Sequence, residues 1–311
     1  MESSSWNTFN ASMENPSFVD TLMIAGDLGG IRVGDRNPVR MMGVINLSEN
    51  SFYTGSIASS DDAIKRAVLH LRDEGADIID IGARSTAPYR ASEVSTQTES
   101  RLLTRALKIV SKLVDVPISV DTTRLEAAKL SFEEGATILN DVFGFTQTDG
   151  GRLANLVASK DYSLITCAHE PRISKHADAV ESVLSRLETS LEFGEDHGID
   201  PRKITIDPGI GFFTDERISN VEWNVSILAN LEKLRRLRRP ICVGLSRKRF
   251  IGKLLGRDDP DDRLEGSLGA TAVAVFNGAH LIRTHDVMQT RQAAKIAKAI
   301  REKGLSHQDE K

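Results

Sequence analysis

Arg40-Met-Met-Gly-Val-Ile-Asn46, then Ser59-Ser-Asp-Asp62 opening a polar stretch that runs to Glu74 and Gly75, then Asp77-Ile-Ile-Asp-Ile-Gly-Ala83: the fold is decided on this span. Each flank is a short, nearly continuous apolar run, as expected of a strand buried on both faces of a parallel sheet. Between them, serine precedes acidic residues and glycine closes the stretch, the signature of a capped helix. The alternation continues, with apolar runs at Pro117–Asp121, Ile138–Val142, Ser163–Ala168, Ile204–Pro208, Ile241–Ser246 and His280–Asp286. Helical spacing is read over Asp61–Glu74, Thr123–Glu134, Ala177–His197, Arg263–Phe276 and Thr290–Glu302. Eight such units predict an α/β fold, a single (β/α)8 TIM barrel. An open doubly wound sheet is the competing architecture, but no G-x-G-x-x-G fingerprint follows a strand.

Upstream, Thr21-Leu-Met-Ile-Ala25 and Ile31-Arg-Val-Gly34 flank a glycine-containing segment and predict a β-hairpin, placed near the bottom opening of the barrel. Residues 1–18 are polar and predicted to be a disordered leader, residues 19–305 the barrel, and residues 306–311 a tail. The 311-residue length fits one α/β barrel of ~250 residues with extensions. With 40% hydrophobic and 27% charged residues, a large core is possible and global disorder is not. A net charge of −4 and 5% aromatics argue against a nucleic-acid or acidic-membrane partner. Cys167 and Cys242 lie in apolar runs without metal-ligand spacing and read as reduced core thiols. No apolar segment reaches the ~18 residues of a membrane span, and the start lacks a signal peptide's regions, so a cytoplasmic enzyme is expected.

Polar residues cluster where the apolar runs end: Asn46 leading to Ser51-Phe52, Arg84-Ser85-Thr86, Asp121-Thr122, Asn140-Asp141, Asp207-Pro-Gly-Ile-Gly-Phe212, Gly244-Leu-Ser246-Arg247-Lys248 and Arg283-Thr-His285-Asp286. Taken singly, each has a plain explanation. Asp121 suits a helix N-cap, Asn140-Asp141 a turn, Asp207-Pro-Gly a loop start and Arg247-Lys248-Arg249 a solvated basic face. In a barrel all these positions share the C-terminal rim, where barrel enzymes place their sites. Asp121, Asn140 and Asp207 suit a flat heterocycle rich in N–H donors. Lys248, Arg283 and His285 supply positive charge and donors for an anion such as a leaving pyrophosphate.

Met42-Gly-Val-Ile-Asn-Leu-Ser-Glu-Asn-Ser-Phe52, Gly75-Ala-Asp-Ile-Ile-Asp-Ile-Gly-Ala-Arg-Ser-Thr-Ala-Pro88, Pro117-Ile-Ser-Val-Asp-Thr122, Asp207-Pro-Gly-Ile-Gly-Phe212, Gly244-Leu-Ser-Arg-Lys248 and Gly278-Ala-His-Leu-Ile-Arg-Thr-His-Asp-Val287 resemble, in order, the signatures of the dihydropteroate synthase family. The resemblance implies condensation of 6-hydroxymethyl-7,8-dihydropterin pyrophosphate with 4-aminobenzoate, releasing pyrophosphate in folate biosynthesis. It also implies Mg²⁺ organised by Asn46, and a homodimer. By the same carry-over, Asp207 and Asn140 pair with the pterin, Lys248 approaches its carbonyl and ring nitrogen, and Asp121 offsets positive charge as the C–O bond breaks. Arg283 and His285 hold pyrophosphate. Ser85, Thr86, Phe212, Gly244 and Ser246 complete the implied substrate-binding set.

Three segments depart from the family pattern. Ser48-Glu49-Asn50-Ser51-Phe52 stands where Thr-Pro-Asp-Ser-Phe is usual. Arg84 stands at a usual glutamate and Ala87 at a usual arginine, so Arg84 is expected to take over part of the missing arginine's role at the anion. Cys167-Ala168 replaces a Met-His pair, with His169 displaced. Glu49 and Ala87 lead to the expectation of weaker 4-aminobenzoate and sulfonamide binding. Other readings are the same condensation with a ribosylated aminobenzene phosphate, as towards methanopterin, and a non-catalytic pterin-binding paralogue. A methyltetrahydrofolate-dependent corrinoid methyltransferase shares the barrel but has no use for pyrophosphate-binding residues.

Overall fold

The computed structural model describes residues 23–47, 58, 60–84, 94–169, 178–213 and 219–306. Among them an antiparallel hairpin, β1 (Ala25–Leu28) and β2 (Ile31–Gly34), precedes eight parallel strands. These are β3 (Arg40–Asn46), β4 (Ile78–Gly82), β5 (Ile118–Asp121), β6 (Ile138–Asp141), β7 (Ser163–Cys167), β8 (Ile204–Asp207), β9 (Cys242–Gly244) and β10 (Leu281–Thr284). The sheet runs β8-β7-β6-β5-β4-β3-β10-β9, and a parallel bridge from Ile206 to Ile241 joins its two edges. The chain therefore closes into the (β/α)8 barrel expected of it. The open doubly wound sheet is ruled out.

The helices are α1 (Asp61–Asp73), α2 (Thr96–Val110), α3 (Leu125–Glu133), α4 (Gly150–Ser159), α5 (Ala179–Asp196), α6 (Asn220–Ala229), α7 (Arg249–Leu255), α8 (Leu264–Phe276) and α9 (Val287–Ser306). Helix α1 starts as its sequence dictates: the Ser60 hydroxyl accepts from the Ala63 amide, and Asp61 and Asp62 sit in the positive first turn. Each helix buries one stripe against the sheet. On α1 that stripe is Ile64, Val68 and Leu71, and on α2 it includes Leu103, Ala106, Leu107 and Val110. Helix α9 is longer than its predicted span, and the last barrel strand is shorter, so His285 and Asp286 lie in the turn beyond it.

The hairpin turns on Gly29-Gly30 alone, and both residues have positive φ, as a two-residue turn of this hand requires. Gly26 belongs to β1, so the turn is tighter than the glycine-containing segment suggested. Leu28 and Val33 are fully buried against Met42, Ile78, Ile138, Ile165, Cys242 and Leu281, an apolar layer contributed by six barrel strands. The hairpin thus plugs the end of the barrel opposite the polar rim. Asp35 just beyond it binds Arg235 through two 2.8 Å contacts and His280 at 3.2 Å. Burial alone would raise the Asp35 carboxyl, but the bonds from His280, Arg235 and the Ile24 amide outweigh it and hold the carboxyl low. Both cysteines are buried thiols. No helix among the described residues is long and apolar enough to cross a membrane.

Candidate functional site

Arg283 on β10 reaches across the mouth to two carboxylates. Its Nε donates to Asp80 Oδ2 at 2.8 Å and its Nη2 to Asp121 Oδ2 at 3.0 Å. Asp80 is fully buried inside β4, and Asp121 ends β5 opposite Gly82. A Cβ on Gly82 would sit 3.4 Å from that of Asp121, so the two strand ends are in ordinary packing contact here. The second oxygen of each acid, Asp80 Oδ1 and Asp121 Oδ1, is buried without a hydrogen bond. Burial, opposed by Arg283 and reinforced by Asp80, lifts the Asp121 carboxyl to about 7. Two acids sharing one guanidinium leave a surplus of negative charge, and two acceptor oxygens await a donor-bearing or cationic ligand.

On the next sector, Asp207 ends β8 beside Cys167 and accepts the Gly209 amide at 2.8 Å. Burial raises its carboxyl, while that amide, Lys248 and Arg283 pull it back. Burial lowers the Lys248 ammonium, and Asp207 pulls it up again. The Lys248 Nζ stands 5.0 Å from the centroid of the Phe212 ring. A Cβ on Gly211, which has positive φ, would lie 2.9 Å from Lys248 Cδ, so the lysine follows this course only because glycine is there. Asn140, buried on β6, neighbours Asp121 in the ladder. Asp121 and Asn140 end β5 and β6, Asp207 ends β8, and Phe212 and Lys248 lie just beyond β8 and β9, all on one rim of the barrel.

A third sector collects Asn46, Gly244, Ser246, Arg283 and His285. The Ser246 hydroxyl is 3.0 Å from His285 Nδ1, and Asn46 Nδ2 is 3.4 Å from Nε2. Gly244 pairs with Arg283 in the ladder and places no side chain beside it. Desolvation and then Arg283 depress the His285 imidazole to about 3. The ring is therefore neutral near pH 7: it supplies a polar nitrogen to the anion sector, and the positive charge expected of it falls, among the described residues, to Arg283 and Lys248.

Arg247 is no solvated cation. It is buried with φ 55, and its guanidinium grips Asp286 at 2.8 and 3.0 Å and the Pro260 carbonyl at 3.0 Å. Its amide donates to Ser267 Oγ at 2.8 Å. This clamp ties the turn carrying Ser246 and Lys248 to the one carrying His285. Asp141 fulfils the plain expectation of a turn: its oxygens accept the amides of Phe143 and Phe145 at 3.0 and 2.7 Å. Arg84, expected at the anion, instead donates to Thr123 Oγ1 at 2.9 Å and lies 3.7 Å from buried Glu99. Ser85, Thr86, Ser51-Phe52, Glu49 and Ala87 lie outside the described residues. Sequence reasoning missed Asp80, Glu99 and the Arg247–Asp286 pair. The first carried a signal, a charge inside an apolar run.

The profile of the Pterin binding enzyme family matches residues 42–285. The dihydropteroate synthase of Clostridium beijerinckii is 31% identical over 271 residues, covering 86% of this chain and 96% of that protein. That of Escherichia coli K12 is 33% identical over 270 residues, covering 85% and 93%. Among solved structures, a Xanthomonas albilineans dihydropteroate synthase with 4-aminobenzoic acid superposes with a TM-score of 0.78 at 34% identity, covering 89% of this chain and 98% of the other.

Proposed function

Because the chain belongs to the pterin-binding enzyme family, among the dihydropteroate synthases, we infer that it is a transferase condensing 6-hydroxymethyl-7,8-dihydropterin pyrophosphate with 4-aminobenzoate, and that the residues gathered at the barrel mouth carry the reaction. One observation supports the residue roles above others. The acceptor groups Asp207, Asn140 and Asp121 and the cations Lys248 and Arg283 stand at or beside strand ends on one rim of the barrel, within electrostatic reach of one another.

In this reading the pterin's amino-pyrimidine edge donates to Asp207, and Asn140 pairs with its other nitrogens. Lys248 donates to the carbonyl and ring nitrogen. The arylamine nitrogen forms the C–N bond to the exocyclic methylene as the C–O bond to pyrophosphate breaks, and the amine gives up a proton. Positive charge growing on the pterin faces Asp121, and negative charge growing on pyrophosphate faces Arg283, with Ser246 and neutral His285 as polar partners. Fixing these charges before reaction is where most of the acceleration comes from.

Mg²⁺ fits this set in a limited way. No cluster of three or more His, Cys, Asp or Glu among the described residues could hold an ion by itself. Asn46 offers a hard amide oxygen beside the anion sector, and Mg²⁺ commonly combines one or two protein oxygens with water and phosphate oxygens. Bound there, Mg²⁺ would share the leaving group's charge.

The homodimer belongs to the same proposal. Leu254 and Leu255 on α7 and Val273 and Phe276 on α8 are each about half exposed, at 57, 52, 48 and 50%. These helices pack on one another, and their exposed apolar residues support a second copy of the chain docking on this face. We place the reaction in the cytoplasm, where the buried thiols would stay reduced.

Pyrophosphate release from the pterin substrate, with 4-aminobenzoate and with or without Mg²⁺, tests the reading. Release that needs both organic substrates and drops on chelation is expected. Pterin binding without release would leave a binding protein only. Rapid release with a ribosylated aminobenzene but not with 4-aminobenzoate would replace the second substrate.

A further inference from the structure

Behind Asp121 the charges alternate, and the step from Asp121 to Arg84 is one of charge. Asp80 and Asp121 share Arg283 at the mouth. Arg84 follows, its Nη2 bonded to Thr123 Oγ1 at 2.9 Å and its Nε 3.7 Å from Glu99 Oε2. Glu99, fully buried on α2, accepts Thr122 Oγ1 at 2.6 Å and Arg124 Nη1 at 2.8 Å. Arg124 also donates to the Val94 carbonyl at 2.7 Å. Three carboxylates and three guanidiniums thus stand in series, and Thr122 and Thr123, the two residues after Asp121, are both tied into the row.

We propose that Arg84 is a positioning residue for the condensation: bridging Thr123 and Glu99 behind the end of β5, it gives Asp121 a further cation, on the side away from the mouth, that fixes both its direction and its charge. The inference rests on the transferase reading for its catalytic consequence, though not for its electrostatics. The groups facing Asp121 are Asp80 from β4, Arg283 from β10, Arg84 beyond β4, Glu99 from α2 and Lys248 at the start of α7. Of these Arg283, Arg84 and Lys248 favour the carboxylate, whereas burial, Asp80 and Glu99 oppose it, and Lys248 answers chiefly to Asp207. Arg283 is shared with Asp80. Without Arg84 the row carries one uncompensated negative charge, and Asp121, whose second oxygen has no donor, stays protonated to higher pH. A carboxylic acid there could not offset positive charge on the pterin.

The test follows the Asp121 carboxyl by ¹³C resonance in aspartate-labelled protein, assigned by its loss in Asp121→Asn. In Arg84→Gln the titration midpoint should rise by about one pH unit, a tenfold shift in protonation, and Arg84→Lys should restore most of it. Glu99→Gln should move the midpoint down, which keeps the test decisive if Arg84→Gln does not fold. Turnover of Arg84→Gln should fall ~5-fold at pH 7 and recover at alkaline pH, with KM for the pterin substrate changed less than ~2-fold. An Asp121 midpoint unmoved in Arg84→Gln, or in Glu99→Gln where Arg84→Gln does not fold, would overturn the proposal. So would a loss of turnover that is the same at every pH. If the wild type itself releases no pyrophosphate, the transferase reading fails, and the carboxyl titration alone still decides the role of Arg84.

Discussion

Asp121 and Asp207 are carboxylates held above the ordinary range by burial, so protonation stabilises the fold where it silences the chemistry. Asp121 titrates near 7 in the folded chain against a reference of 3.8. Between those values the folded state holds a proton that the unfolded chain has lost, so this residue makes stability fall as pH rises from about 4 to 7. Asp121→Asn is therefore expected to lower turnover ~100-fold while the thermal midpoint at pH 7.5 stays level or rises by a few degrees. A clear drop in that midpoint would mean that the ionised carboxylate is a structural partner. Asp207→Ala should cost pterin affinity far more than stability, because it leaves buried donors of the ligand unpaired at about 1–3 kcal/mol each. Unchanged pterin binding in calorimetry would remove Asp207 from the pocket. Both acids could be read from the sequence because each ends an apolar run. Asp80 could not be assigned a role, since its partner Arg283 lies 203 residues away and only barrel closure brings them together. Burial likewise turned His285 from an expected cation into a neutral ring, an effect no residue pattern records.

The turns after β9 and β10 act as one element because of the Arg247–Asp286 pair. Their side chains are 7 and 14% exposed, so the pair is largely shielded from solvent. Breaking a buried pair by removing one partner costs roughly 3–5 kcal/mol. Asp286→Asn keeps the volume but loses the charge. It is expected to lower the melting temperature and to weaken the protection that pyrophosphate gives against unfolding, since Ser246 and His285 lose their common support. Wild-type protection by pyrophosphate in that variant would show that the two turns hold the anion residues independently. The eight apolar runs made every barrel strand legible, and the capping serine and acids of α1 fixed that helix start. Arg247 was open to misreading because, in sequence, three consecutive cations look like a solvated face. What buries this one is a left-handed backbone and the distant acceptors Pro260, Asp261 and Asp286.

At the scale of the whole molecule, the apolar face on α7 and α8 sets the expected assembly. Phe276→Asp should convert the protein from dimer to monomer in sedimentation, leaving the barrel folded. A monomeric wild type would dismiss that face as an interface. The closed barrel itself followed from periodicity, whereas the seat of the hairpin rested on the topology, because its partners come from six strands. That seat has a consequence for how the molecule is made. Leu28 and Val33 leave the ribosome early, yet the surface they cover is incomplete until Leu281 has also emerged. Its construction needs contacts between the two ends of the chain, the kind that form late and slowly. The hairpin is thus translated before the barrel strands and docked after them, and until then its apolar side is a natural place for a chaperone to hold.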